Sequence, residues 1–190
     1  MAIQTRTKTF NSYLADKVWL RARNMPKGEV NVLDCFAGKG TIWRAVGLVT
    51  GREINTLPID TTNSEGFYLP GDNRSFLSII DLTRFNVVDL DAYGIPYEQL
   101  KILTERKYKG CVFVTFIQTG WGAMPWGLLT DLGFSREMID RIPTLFAQRA
   151  SGVGWGFFKE WLAVHGVKSI RVRSSSAGMS HRKYLYFKME

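Results

Sequence analysis

Four predicted strand ends lead into an aspartate, and the first of them leads on into two close glycines. Val32-Leu33-Asp34 is an apolar run with strand propensity that ends on an acid. Cys35-Phe36-Ala37-Gly38-Lys39-Gly40 then turns tightly, and Thr41-Ile42-Trp43 re-emerges with helical spacing. This reads as a buried parallel strand, a turn where only small residues let a ligand approach the backbone, and a helix N-terminus. A second strand, Asn86-Val87-Val88-Asp89-Leu90, delivers Asp91 and breaks into Ala92-Tyr93-Gly94-Ile95-Pro96. Asp60 closes the run Glu53 to Ile59, and Asp72 follows the short strand Phe67-Tyr68-Leu69 through Pro70-Gly71. Carboxylates at such strand ends can accept from the vicinal hydroxyls of a ribose, or orient a nitrogen for reaction.

The spacing argues against two phosphate-binding turns. A P-loop needs Gly-x-x-x-x-Gly-Lys-Ser/Thr, whereas Lys39 lies between Gly38 and Gly40. A dinucleotide fingerprint wants a third small residue where helix and strand pack, and Trp43 stands there. Asp34-x-x-x-Gly38-x-Gly40 instead resembles motif I of the class I S-adenosylmethionine-dependent methyltransferases. That resemblance implies that Asp34, Phe36, Gly38 and Gly40 hold the methionine end of S-adenosylmethionine, Asp60 its ribose and Asp72 its adenine. Read without the family, Asp60 is equally a turn cap before Thr61; its rival for the ribose, Glu53, starts its strand and so points to the wrong edge. Asp72 or Asn73 also suits the N-cap of a helix over 74–81, and one residue can serve both purposes.

Asp89-Leu90-Asp91-x-Tyr93-Gly94-x-Pro96 resembles the acceptor loop Asp-Leu-Asp-Pro-Phe/Tyr-Gly-Ser-Pro of the tRNA guanine-N2 methyltransferases, with departures at Ala92 and Ile95. The likeness to the family spans about residues 30–120. It implies that Asp91 and Tyr93 position the acceptor, the acid orienting a nitrogen and the ring stacking on a base. The competing reading is a strand end whose acids cap the helix beginning near Tyr97.

The elements that would carry these residues follow from periodicity. Thr9 to Asn24 is an amphipathic helix, with Phe10, Tyr13, Leu14, Val18 and Leu20 on one face, stopped at Met25-Pro26-Lys27-Gly28. Further helices are expected over 42–49, 97–107, 126–132, 135–148 and 154–165, and an all-apolar central strand over 110–117. Lys168 to Arg173 and Lys183 to Lys188 alternate with period two, an antiparallel hairpin. Together with the methyltransferase resemblance, these elements imply an α/β, Rossmann-like fold: a mostly parallel seven-stranded sheet with a C-terminal antiparallel hairpin, in one domain over 1–190. Trp121, Trp126 and Trp155 follow the central strand; they form either a substrate-pocket wall or a satellite apolar cluster.

A chain of 190 residues with 45% hydrophobic content can bury a substantial core. The net charge of +8 sits at the ends: residues 1–28 hold six Lys/Arg against one acid, and 141–190 hold nine against two. Cationic ends suggest a polyanion, with Arg171, Arg173, Lys183 and the stacking ring of Trp121 as its contacts. The competing use of those arginines is to keep an edge strand soluble. Cys35 and Cys111 make no disulfide framework, and His165 and His181 lie in no ligand spacing, so a reducing cytoplasm and no metal are expected. No apolar run is long enough for a membrane span. These readings converge on methyl transfer from S-adenosylmethionine to a nitrogen of a nucleic-acid base, RNA favoured over DNA. The alternatives are a small-molecule or protein methyltransferase, or a non-catalytic nucleic-acid-binding protein of the same fold.

Overall fold

The computed structural model describes residues 13–61, 69–117, 124–146, 153–174 and 182–190. Among them the apolar runs form seven strands: β1 Asn31–Asp34, β2 Asn55–Asp60, β3 Leu69–Pro70, β4 Val87–Leu90, β5 Gly110–Ile117, β6 Arg171–Ser174 and β7 Arg182–Met189. They build one sheet in the order β3-β2-β1-β4-β5-β7-β6. Strands β1 to β5 are parallel, and β7 runs antiparallel between β5 and β6. The strand order reverses at β1, with β2 on one side and β4 on the other, so a crevice opens beyond the carboxyl ends of β1 and β4.

Helices cover both faces: α1 Leu14–Asn24, α2 Thr41–Thr50, α3 Asn73–Ile79, α4 Tyr97–Glu105, α5 Trp126–Asp131, α6 Arg136–Arg141 and α7 Val153–Val164. Because side chains alternate along a strand, the sheet divides its residues cleanly. Val32, Val87, Cys111, Phe113 and Tyr184 meet Val18 and Leu20 of α1 and Trp43 and Val46 of α2. Leu33, Val88, Leu90, Val112, Val114 and Phe116 face the other way, against α3 through α7.

Some boundaries differ from the sequence reading. The helix expected over 135–148 ends at Arg141, because Pro143 offers no N–H and disfavours helical geometry in the residue before it. β2 begins at Asn55 rather than Glu53, and β6 at Arg171 rather than Lys168. Thr9, Phe10, Phe67 and Tyr68 lie outside the described residues. Among the described residues no helix is long and apolar enough to cross a membrane.

Candidate active site at the carboxyl edge

The turn after β1 is held on three sides. Gly38 and Gly40 have φ of +54° and +62°, a conformation that a side chain disfavours. The Cys35 N–H donates to the Asp89 carbonyl at 3.0 Å, and the Ala37 N–H donates to the Ile59 carbonyl at 3.2 Å. Asp60, the last residue of β2, accepts the Gly38 N–H on Oδ2 at 2.8 Å. From α3, Asn73 Nδ2 donates to the Cys35 carbonyl at 2.6 Å, while Asn73 Oδ1 accepts from Gln99 Nε2 at 2.8 Å. Phe36 leans away from the turn, onto the apolar cluster under α3 and α4. Asp72 is the N-cap of α3, accepting the Arg74 N–H at 2.9 Å. The Arg74 side chain, whose Nη2 lies 2.6 Å from Asp72 Oδ2, holds that carboxyl below its usual range.

Beside this turn lies a ladder of charge. Period two puts Asp34, Asp89 and Asp91 on the face covered by α1 and α2, directly beyond Val32 and Val87. Arg21 of α1 makes a two-point contact with Asp89: Nε to Oδ2 at 2.7 Å and Nη2 to Oδ1 at 2.6 Å. Trp43 Nε1 donates to the same Oδ2 at 2.6 Å. The indole that spoils a dinucleotide fingerprint thus serves here as a donor to a buried acid. One turn earlier on α1, Lys17 Nζ reaches Asp91 Oδ2 at 2.6 Å, and the Thr115 hydroxyl of β5 donates to Asp91 Oδ1. Both side chains of the Arg21–Asp89 pair are 1% exposed. Burial pushes the Asp89 carboxyl up, against the pull of Arg21 and Trp43. Burial also draws the Arg21 guanidinium down, but Asp89 outweighs it and the net direction is up, so the arginine stays charged.

Tyr93 stands 82% exposed in the loop beyond Asp91. That loop is tied to β5 by the Ile117 N–H, which donates to the Gly94 carbonyl at 3.0 Å. Ala92, where the resembling loop has proline, is buried. Asp34, Gly38, Gly40, Asp60, Asp72, Asp91 and Tyr93 are therefore brought to one edge of the sheet. Arg171 and Arg173 do share a face, and that face meets α1. Arg171 Nη1 donates to Asn24 Oδ1 at 2.6 Å; Arg173 pairs with Asp16 and lies 4.3 Å from the ring centroid of Trp19. Lys183 projects to the other side, 5.5 Å from the Trp155 ring centroid. Trp121 lies outside the described residues.

Sequence reasoning missed Lys17, Arg21, Trp43 and Thr115 as members of this edge. The one available signal was the i, i+4 spacing of Lys17 and Arg21 beside the apolar stripe of α1. Glu53 lies at the opposite edge, as its place in the strand required. There it lines a cleft of about 370 Å³ with Gly28, Glu29, Arg52 and Asn55, and Arg52 donates to the Pro26 and Gly28 carbonyls.

No family model matches the chain, and no curated protein matches it. Solved structures do. A protein from Bordetella parapertussis described as exported aligns at TM-score 0.55 and 10% identity, over 92% of this chain and 66% of that one. A protein from Nostoc punctiforme described as an O-methyltransferase aligns at 0.52 and 13%, over 92% of this chain and 55% of that one. The magnesium protoporphyrin IX methyltransferase of Synechocystis, with bound S-adenosylhomocysteine, aligns at 0.51 and 15%, over 93% and 81%. The fold is that of the class I methyltransferases. The chain spans about two thirds and about half the length of the first two of these proteins.

Proposed function

We propose that the protein transfers a methyl group from S-adenosylmethionine to a small-molecule acceptor. The observation that carries the transfer is the left-handed Gly38-x-Gly40 turn, opening at the strand-order reversal with Asp34, Asp60 and Asp72 around it. These residues fit the cofactor. Two glycines leave the backbone approachable, Asp60 ends β2 beside the turn where a carboxylate suits a ribose diol, and Asp72 stands half-buried just beyond β3 where an adenine amine would lie. Asp34, Gly38 and Gly40 would border the methionine end, whereas Phe36, packed on the apolar cluster, would not reach it. When bound, the cofactor supplies a methyl already activated by its sulfonium.

The chain's own task is then to orient an acceptor in line with that methyl. Asp91 suits this, since Lys17 and Thr115 each occupy one of its oxygens and leave a lone pair on both. Tyr93, exposed beside it, would offer a ring to stack on. Two observations support a small acceptor: the neighbours just described include a magnesium protoporphyrin methyltransferase, and Arg171 and Arg173 are engaged with α1.

A second reading has its own support. The loop Asp89-Leu90-Asp91-x-Tyr93-Gly94-x-Pro96 and the net charge of +8 favour a base nitrogen of a nucleic acid, RNA before DNA.

Calorimetric titration with S-adenosylhomocysteine tests the cofactor. Saturable binding is expected, weakened at least tenfold by Gly38→Val; NAD binding in its place would sink the proposal. Asp91→Ala should keep that affinity within about threefold while abolishing turnover on an identified acceptor. A gel shift with bulk tRNA over rising salt separates the acceptors, because a steep salt slope belongs to the nucleic-acid reading. Nucleic-acid binding without any cofactor binding would leave a non-catalytic protein of this fold.

A further inference from the structure

Three carboxyls and two cations gather under α1, with Asp34, Asp89 and Arg21 buried and Asp91 and Lys17 half-buried. Asp89 is matched by Arg21 and Trp43, and Asp91 by Lys17 and Thr115. Asp34 is the one left over. It stands in register with Asp89 on the neighbouring strand, is 4% exposed, and takes part in none of the ion pairs among the described residues. The charged groups acting on it are Asp89 of β4, Asp91 just beyond that strand, and Arg21 of α1, while the neighbouring Cys35 packs on the opposite face of the sheet. Both cations are already committed to the other two acids.

A carboxylate in such a place is costly to ionise, since it would be buried without a partner and beside like charge. Burial first, then Asp89, pushes the Asp34 carboxyl well above its usual range, and Arg21 offsets only part of this. Burial raises the Cys35 thiol as well. The site is therefore one cation short, at the strand end where the glycine turn begins.

We propose that binding of a cationic cofactor at this turn is coupled to release of the Asp34 proton to solvent, so that the site ranks ligands by charge. The inference rests on the function proposed above. S-adenosylmethionine carries a sulfonium and an ammonium against one carboxylate, and S-adenosylhomocysteine lacks the sulfonium. The donor therefore stabilises an ionised Asp34 more than the product does. Loss of the methyl group removes a positive charge from the site and favours departure of the product. The amine analogue sinefungin, cationic where the donor is, should behave as the donor does.

The test is calorimetry in two buffers of different ionisation enthalpy, which counts protons exchanged on binding. Between pH 5.5 and 7, sinefungin and S-adenosylmethionine should release about half a proton or more beyond S-adenosylhomocysteine. Where release approaches one proton, affinity should rise about tenfold per pH unit. Asp34→Asn should remove the difference in release and narrow the preference for cationic ligands at least threefold. Equal release by donor and product in the wild type overturns the coupling, whether or not the variant folds. Release unchanged in Asp34→Asn overturns it as well. If S-adenosylhomocysteine binds without these differences, only the coupling falls. If none of the three ligands binds, the proposed function falls with it. A ligand-free measurement reads the leftover acid directly. With its folded-state carboxyl raised, the wild type should lose stability relative to Asp34→Asn as pH rises from about 4 toward 7, and parallel urea curves across that range would refute a neutral Asp34.

Discussion

The two faces of this one sheet are held by different means. Under α3 through α7 the contact is apolar and aromatic: Phe116 packs on Phe158 at 4.8 Å between centroids, and Trp161 meets the Tyr97 ring edge-on at 5.5 Å. Near its rim Asp131 accepts from Tyr97, Trp161 and Lys101, and the Tyr108 hydroxyl is buried within it without a partner among the described residues. Under α1 and α2 an apolar layer gives way, toward the carboxyl edge, to a buried ion pair and a half-buried one. Apolar contact tolerates small shifts of a helix, whereas an ion pair out of water demands its geometry and punishes the loss of one partner. The face that must aim functional groups is the one tied by directional bonds.

The sharpest way to break this contrast is Arg21→Met. It leaves Asp89 buried with only Trp43, and unfolding in urea should show a loss of about 3–5 kcal/mol. Adding Asp89→Asn should recover more than half of it, because the uncompensated charge is then gone. A loss below about 1 kcal/mol would mean that α1 is held by its apolar side alone.

On the opposite face the corresponding break is steric. A Cβ at Gly127 would stand 2.6 Å from both Cε1 and Oη of Tyr97, a ring fixed by Trp161 and Asp131. Gly127→Ala should therefore cost about 1–3 kcal/mol by overpacking, with no dependence on pH between 5 and 8.

A smaller effect carries a pH signature. Burial pushes the Asp131 carboxyl up, but the hydrogen bonds from Trp161, Tyr97 and Lys101 outweigh it and hold it below the usual range. An acid depressed in the folded state stabilises above its unfolded value near 4 and loses that contribution as pH falls through the folded one. Wild type should exceed Asp131→Asn by about 1–2 kcal/mol at pH 7, and the gap should close as the pH drops below about 4. A gap that widens toward acid would reverse the assignment.

The smallest expected effect belongs to Arg173→Ala, which removes a half-exposed pair with Asp16 and a stack on Trp19. Its cost should stay under about 1 kcal/mol. Should its loss also flatten the salt dependence of tRNA binding by about one unit, the arginine serves a phosphate as well as α1, and the nucleic-acid reading gains.

Much of the edge was legible before any coordinates. Alternation and apolar runs give the strands, glycine spacing gives the turn after β1, and the two-residue period of 168–173 and 183–188 gives the antiparallel hairpin. Asp72 as N-cap and Glu53 at the far edge follow from position within an element alone. The over-long helix at 135–148 was a misreading of a local signal, since Pro143 was there to be read.

What remained hidden is which groups meet. Trp43 reads locally as a bulky residue in the wrong place for a dinucleotide, and becomes a donor to Asp89 only once α2 lies on β4. Lys17 and Arg21 read as two basic residues on a helix. Their partners lie 74 and 68 residues away, and only the docking of α1 on the sheet pairs them with Asp91 and Asp89. Asp34 shows the same limit most clearly, because its neighbours in the chain look no different from those of any strand-end acid. Sequence by itself determines which residues share a face, since that depends on periods of two and 3.6. The tertiary structure decided how charge is shared across the face, since a Coulomb balance is set by distances between elements that the local chain does not encode.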